Sequence, residues 1–313
     1  MLLSRVAENV YWAGRYLERA EGTARILKEH TNLIVDLPTS LSVTWEPLLF
    51  ITGSRSVFDE HYDKADEHSI LRFLVADRDN PGSILTSLEQ ARENLRTTRE
   101  VLPREMWQVV NDLYLHVASN HSDGVARRSR IHFLDRVIGD VLRATGVVAS
   151  TMSRDEAYAF LRGGRFVERA DVTTRVIDVR AGSILSMQGK ASDTYEDVQW
   201  MSVLRTISAL QMFHRTTRAA VEGPSTVRFL LGDDRFPRSV AFSMAEVRRC
   251  LGDLPQVAGV VAACDAALAQ LGGLEVSELR AEALHDAMDG LQVAIAAVHD
   301  AIAATYFLAA PAA

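Results

Sequence analysis

Apolar residues recur along most of this chain at steps of three and four. In the first segment Val6, Val10, Ala13, Leu17, Ala20, Ala24 and Leu27 form one stripe, the period of a helix that turns one face to a core. The alanines in that stripe allow another helix to come close, and Ser4 is a candidate N-cap. A loop is expected around Leu37-Pro38-Thr39-Ser40, then a helix from about Thr44-Trp45-Glu46-Pro47. Asp79-Asn80-Pro81-Gly82-Ser83 reads as a turn feeding a helix over about Ser83–Val101, stopped by Pro103, with proline near a helix start and again past its end. Further helices are expected over Arg104–His116 and Ser129–Ala144, joined by a polar loop at Ser119–Gly124. Later come about Tyr195–Arg218, Asp234–Leu251, Val257–Leu271 and an alanine-rich Val276–Tyr306. Alternating strand patterns are almost absent, so the expected fold class is all-α.

The pattern repeats. Arg15–Leu27 reads RYLERAEGTARIL and Arg165–Ile177 reads RFVERADVTTRVI, at an offset of 150 without a gap. Arg15, Glu18, Arg19, Ala20, Thr23 and Arg25 return as Arg165, Glu168, Arg169, Ala170, Thr173 and Arg175, and Glu21 as Asp171. A second block, Phe73–Asp77 with Pro81, Ser83, Arg92 and Leu95, returns at an offset of 156 as Phe229–Asp233 with Pro237, Ser239, Arg248 and Leu251. A core needs only apolar residues of fitting volume, so a repeated charge pattern carries more information than a repeated apolar one. Two blocks in the same order predict two copies of one multi-helix unit, residues 1–150 and 151–313, packed together by pseudo-twofold symmetry as one compact domain. The unit is far longer than the ~50 residues of solenoid repeats.

Composition changes the picture little. Apolar residues make up 48% and charged residues 24% of the 313, ordinary for a globular protein. The net charge of −7 argues against a general nucleic-acid binder, which needs a basic face. Arg127-Arg128-Ser129-Arg130 reads as a solvated basic cluster. Cys250 and Cys264 form no metal or redox spacing and read as buried reduced thiols. The opening residues do not resemble a signal peptide, and no uninterrupted apolar run approaches the ~20 residues of a membrane span. A cytoplasmic protein without a membrane partner is expected.

The candidate chemistry lies in the repeated helices. At about 100° per residue, Glu8, Tyr11, Arg15, Glu18, Arg19 and Arg25 share a sector opposite the apolar stripe. Glu21 falls inside the stripe, as does Asp171, and a buried acid must be paired or it is costly. One reading is structural: Arg15 with Glu18, Glu21 with Arg25, or an acid of one copy against an arginine of the other. The other is a pocket between the copies, in which Arg15, Arg19, Arg25, Arg165 and Arg169 bind carboxylate or phosphate. Glu8, Glu21 and Asp171 would then bind substrate, the acids offering ligands to an amine or a metal, and Glu18 or Glu168 would act as acid or base. Arg92, Glu93 and Asn94 form a weaker candidate, and Trp107 and Asn111 look like a packed aromatic beside a buried amide. No phosphate loop, dinucleotide loop or HExxH is present, no nucleophile elbow is found, and the single ExxH at Glu282–His285 falls short of a di-iron site. No metal or cofactor is expected.

With these residues in view, Met1–Leu27 closely resembles the opening of the bacterial alpha-E proteins, and Phe160–Arg180 resembles that family's second charged helix. Asn80-Pro81-Gly82-Ser83-Ile84, Ala91-Arg92-Glu93-Asn94 and Glu105-Met106-Trp107 fit the same pattern. Gly82, where the family often has serine, and Gly22, where asparagine is common, are departures. The resemblance spans essentially the whole chain and implies an all-helical protein. It also implies a working partnership with a permuted ATP-grasp ligase and a transglutaminase-like peptidase, whose genes typically neighbour the family's. The expected function is a helical partner or substrate-presenting component of an amide-ligase system acting on amino acids or peptides. The alternatives are an enzyme using the Glu/Arg pocket and a purely structural scaffold.

Overall fold

The computed structural model describes residues 2–36, 43–186, 190–276 and 281–307. Its secondary structure is helical throughout, with no strand among the described residues. Seven helices come first: α1 (Ser4–Asp36), α2 (Pro47–Ile51), α3 (Arg55–His61), α4 (Glu67–Ala76), α5 (Ile84–Thr97), α6 (Arg104–Val125) and α7 (Arg130–Thr151). Seven follow: α8 (Glu156–Ser186), α9 (Lys190–Thr206), α10 (Leu210–Thr217), α11 (Gly223–Gly232), α12 (Val240–Leu251), α13 (Ala258–Gly272) and α14 (Ala281–Tyr306).

The two long helices α1 and α8 form the centre and pack chiefly on each other. Around them α1 is flanked by α5 and α7, and α8 by α12 and α14. At the crossing the backbones nearly touch. A Cβ on Gly14 would clash with the Leu161 carbonyl, and one on Gly164 would clash with the Tyr11 carbonyl. Glycine is required at both places because no side chain fits between the helices. Residues 150 apart thus exchange roles across the crossing.

Local sequence sets the turns that frame this centre. The Asn80 side chain donates to the Phe73 carbonyl at 3.1 Å and accepts from the Gly82 amide at 2.9 Å, an Asx turn that fixes the loop before α5. Ser83 then caps α5 by accepting from the Thr86 amide at 3.1 Å. Ser239 caps α12 in the same way, accepting from the Phe242 amide at 3.0 Å. Each cap satisfies an amide that the first helical turn leaves open.

Several boundaries differ from the sequence reading. The polar stretch Ser119–Gly124 does not form a loop; α6 runs through it to Val125 with a kink at Asn120, where the side chain turns back to the His116 carbonyl. The single helix expected over Tyr195–Arg218 is two, α9 and α10, parted at Ser208, which has φ +56°. The expected break at 37–40 and part of the expected helix from Val276 lie outside the described residues. The basic cluster is not simply solvated. Arg130 is buried, stacks 5.2 Å from the Trp45 ring and shares Glu67 with exposed Arg127. Cys264 is buried, but Cys250 is only half-buried. Ala283–Tyr306 is long and apolar enough to cross a membrane by length and composition. A search for uninterrupted apolar runs missed it because His285, Asp286, Asp289, His299 and Asp300 interrupt it. Its stripe of Leu284, Met288, Leu291, Ile295, Val298, Ile302 and Tyr306 is buried in this fold, chiefly against α8 and α13.

Candidate functional site

The charged faces of α1 and α8 point at each other, not at solvent. Glu168 accepts from Arg15 Nε at 2.8 Å and from Arg19 Nε and Nη2 at 2.6 and 3.0 Å. Glu18 accepts from Arg165 Nε at 2.7 Å and from Arg169 Nε and Nη2 at 2.7 and 2.8 Å. Each buried glutamate therefore lies between two arginines of the other helix. The Arg15–Glu18 pairing within one helix does not form; pairing between α1 and α8 does. Glu21 keeps its expected partner, with Arg25 Nε donating at 2.8 Å, and Arg175 Nε donates to Asp171 at 2.9 Å.

The electrostatics follow from this geometry. Burial pushes the Glu18 carboxyl up, but Arg169, Arg165 and Arg238 outweigh it and hold the carboxyl well below the usual range. Burial likewise opposes ionisation of Glu168, and Arg19 and Arg15 overcome it. Isolated buried charges are costly, and multiple guanidinium hydrogen bonds offset that cost here. The Tyr11 hydroxyl and His299 Nδ1 lie 3.0 Å apart beside this lattice. Burial, with Arg15 nearby, pushes the His299 pKa down and favours the neutral ring.

The two ends of the lattice differ most at one position, besides Asp171 standing where the other end has Glu21. Arg238, from the turn before α12, donates to Glu18 at 3.1 Å and to Glu21 at 2.5 Å. Its carbonyl accepts from Thr173 Oγ1 at 3.1 Å. The residue 156 places earlier is Gly82, which has no side chain to offer Glu168 and Asp171. A cavity of about 410 Å³ opens at this end, and its walls include Arg15, Arg19, Thr23, Glu168, Asp171, Arg175 and His299 as well as Gly53, Asn80 and Gly82. The space beside Glu18 and Arg165 is only about 50 Å³. Arg19 is 26% and Asp171 21% exposed, against 5% for Arg169 and 0% for Glu21, while Arg15 at 12% is less exposed than Arg165 at 20%.

The structure sorts the candidate residues. Arg15, Arg19, Glu168 and Asp171 line the cavity. Glu18, Glu21, Arg165, Arg169 and Arg25 belong to the closed end, where Arg25 also reaches Ser208 Oγ at 2.5 Å. Glu8 is half-buried near the start of α1 and does not line the cavity. Arg92, Glu93 and Asn94 are not at the site. Arg92 binds Asn111 Oδ1 at 2.8 Å and lies over the Tyr114 and Trp107 rings, and Glu93 pairs with Arg96. Trp107 is only half-buried, with the Arg99 guanidinium 4.0 Å from its ring centre.

The sequence reading missed Arg238, Arg175, Gly82, Asn80 and His299 at the site. The constant offset of 156, continued from Pro81 and Pro237 to the next residue, could have singled out Gly82 and Arg238. Among the described residues, one group has metal-ligand spacing: Asp178, His285 and Asp289, at the surface. His285 Nδ1 is already 2.7 Å from Asp178.

Fold and site together define an all-helical protein whose two central helices are joined by a buried carboxylate–guanidinium lattice. The chain belongs to the Alpha-E family, described as a predicted alpha-helical domain with a conserved ER motif, which matches residues 2–307. The chain has two Glu-Arg dipeptides, Glu18-Arg19 and Glu168-Arg169, and both sit in the lattice. Uncharacterized proteins of Mycobacterium bovis and Mycobacterium tuberculosis are each 24% identical over 273 residues, or 82% of this chain. The chain spans only 30% of those relatives' length. No solved structure matches.

Proposed function

We propose that the chain is two copies of one helical unit and that it presents an amino-acid or peptide substrate to an ATP-grasp amide ligase. The observation that carries this reading is the cavity beside Glu168. It offers Arg15, Arg19 and Arg175 for a carboxylate and Glu168 and Asp171 for an amine, the two groups an amide ligase must position. A volume of about 410 Å³ is within the range of small-molecule sites. The duplication is supported by the reciprocal glycines, the reciprocal Glu–Arg pairs and the matching helix order. The ligase partnership rests on the family resemblance, and activation by ATP would belong to the partner. Relatives in which this helical region is a minor part of a longer chain fit a component that works beside other domains. In this reading the protein acts in the cytoplasm, with the transglutaminase-like peptidase as a further partner and without nucleic acid or membrane.

Glu168 and Glu18 serve here as anchors. A general base works best with a pKa near the operating pH, and both carboxyls are held below their ordinary value by guanidiniums. The test is ATP consumption by the neighbouring ligase with candidate amino acids and peptides, with and without this protein. Turnover that requires the protein and falls with Arg175→Gln, whose pair with Asp171 is partly exposed and so costs little stability to break, is the expected result. Turnover indifferent to the protein overturns the ligase reading.

A further inference from the structure

The closed end of the lattice displays what the open end accepts. At the closed end the Arg238 guanidinium lies between Glu18 and Glu21. The corresponding acids at the open end are Glu168 and Asp171, and Gly82 stands where Arg238 would be. We infer that the open end is a subsite for a guanidinium or primary ammonium group, supplied by a basic amino acid or a basic residue of a peptide, in the place that Arg238 fills at the other end. The inference rests on the duplication and on the cavity being a binding site, but not on the ligase partnership.

Charge makes this possible. Arg15, Arg19 and Arg175 against Glu168 and Asp171 are matched one for one by Arg165, Arg169 and Arg25 against Glu18 and Glu21. The closed set accommodates one more guanidinium, that of Arg238, and Glu18 stays ionised beside it. Geometry makes it possible too. A Cβ on Gly82 would meet only the Asn80 Oδ1, at 3.3 Å. Asp171 is one methylene shorter than Glu21, which leaves more room for an incoming group. Glu168 is buried, so a cation that reaches it leaves bulk water and gains strength from the low local dielectric. A free carboxylate on the same ligand would find Arg19, the more exposed of the two arginines on Glu168.

The experiment is calorimetric titration of the full chain with agmatine, L-arginine, L-lysine and glutarate, alongside their effect on the melting temperature. Agmatine has no carboxylate, so it reads the cation subsite alone. Agmatine and arginine are expected to bind and raise the melting temperature, and glutarate, which has carboxylates but no cation, to bind more weakly than arginine. Gly82→Arg places a tethered guanidinium in the cavity; it should abolish agmatine binding and melt higher than the parent. Asp171→Asn should weaken agmatine by roughly tenfold, the loss of one charge-assisted hydrogen bond. Arg238→Gly opens the second end and should bind two equivalents, which tests the idea even if Gly82→Arg does not fold.

Glutarate binding in place of agmatine would overturn the inference and make the cavity an anion site. Agmatine binding unchanged in Gly82→Arg and Asp171→Asn would also overturn it. Ligase stimulation without agmatine binding sinks this inference alone. Agmatine binding with a ligase indifferent to the protein sinks the partnership alone.

Discussion

Replacing Glu18 by glutamine is the sharpest test of the lattice. The change keeps the shape and removes one buried negative charge that Arg165, Arg169 and Arg238 share. Breaking a buried pair costs about 3–5 kcal/mol, and three cations facing one lost anion argue for the upper part of that range. Arg238 keeps Glu21, which limits the loss. Glu168→Gln is the internal control. Glu168 holds two arginines and faces the cavity, so water screens part of the deficit and about 2–3 kcal/mol is expected. At about 2–3 °C per kcal/mol for a chain of this size, Glu18→Gln lowers the melting temperature by about 8–15 °C and Glu168→Gln by about 4–9 °C. Scanning calorimetry with urea unfolding of both variants is the assay. In Glu18→Gln/Arg238→Met a cation leaves with the anion, so the double variant should lose less than the two single losses combined. A cost for Glu18→Gln below about 1 kcal/mol, or a larger cost for Glu168→Gln, would refute the reasoning.

Other perturbations have clear expectations. Gly14→Ala or Gly164→Ala forces the central helices apart at a backbone carbonyl and should cost about 1–3 kcal/mol or more, read from urea midpoints. Gly22→Ala should stabilise by about 0.5–1 kcal/mol, because its Cβ would meet Val172 at an ordinary 3.6 Å; a loss of stability would mean that α1 cannot hold its place. Stability should be lost in acid. Glu18 and Glu168 have folded pKa values below their unfolded ones, so their contribution is complete above about pH 4.3 and is lost as pH falls through the lower folded values. His299, also shifted down, adds a loss that starts as pH falls below about 6.5. Urea midpoints between neutral and acid pH check both; a midpoint that rises on acidification would contradict the pairing.

Much of the fold was legible locally. The spacing of apolar residues is set within one or two turns, so α1, α5 and α13 could be placed from sequence, as could Ser83 at a helix start, whereas α12 starts at Val240 and not at the expected Asp234. Boundaries failed where the local signal was ambiguous. Ser119–Gly124 is polar enough for a loop, yet Val117 and Gly124 are buried against the core and hold α6 together through a kink. The site was half legible. Charges at an offset of 150 marked Arg15, Glu18, Arg19, Glu168 and Asp171. The same logic drew attention to Arg92, which a neighbouring amide and two aromatic rings already occupy.

The sequence by itself determined that the chain is helical, that its two most charged helices carry one pattern, and that an acid sits on the apolar side of each. Those properties reside in residues three and four apart, where helix geometry alone decides who is neighbour to whom. Only the tertiary structure decided where the charged faces point. A helical wheel gives the angle of Glu18 but not its partner, and the face that looks solvent-directed is buried because α8 offers it matching arginines. The tertiary structure also separated the closed end from the open one. Arg238 lies 220 residues from Glu18, and no local pattern links them; a long-range packing of loop against helix closes one end, and a glycine leaves the other open.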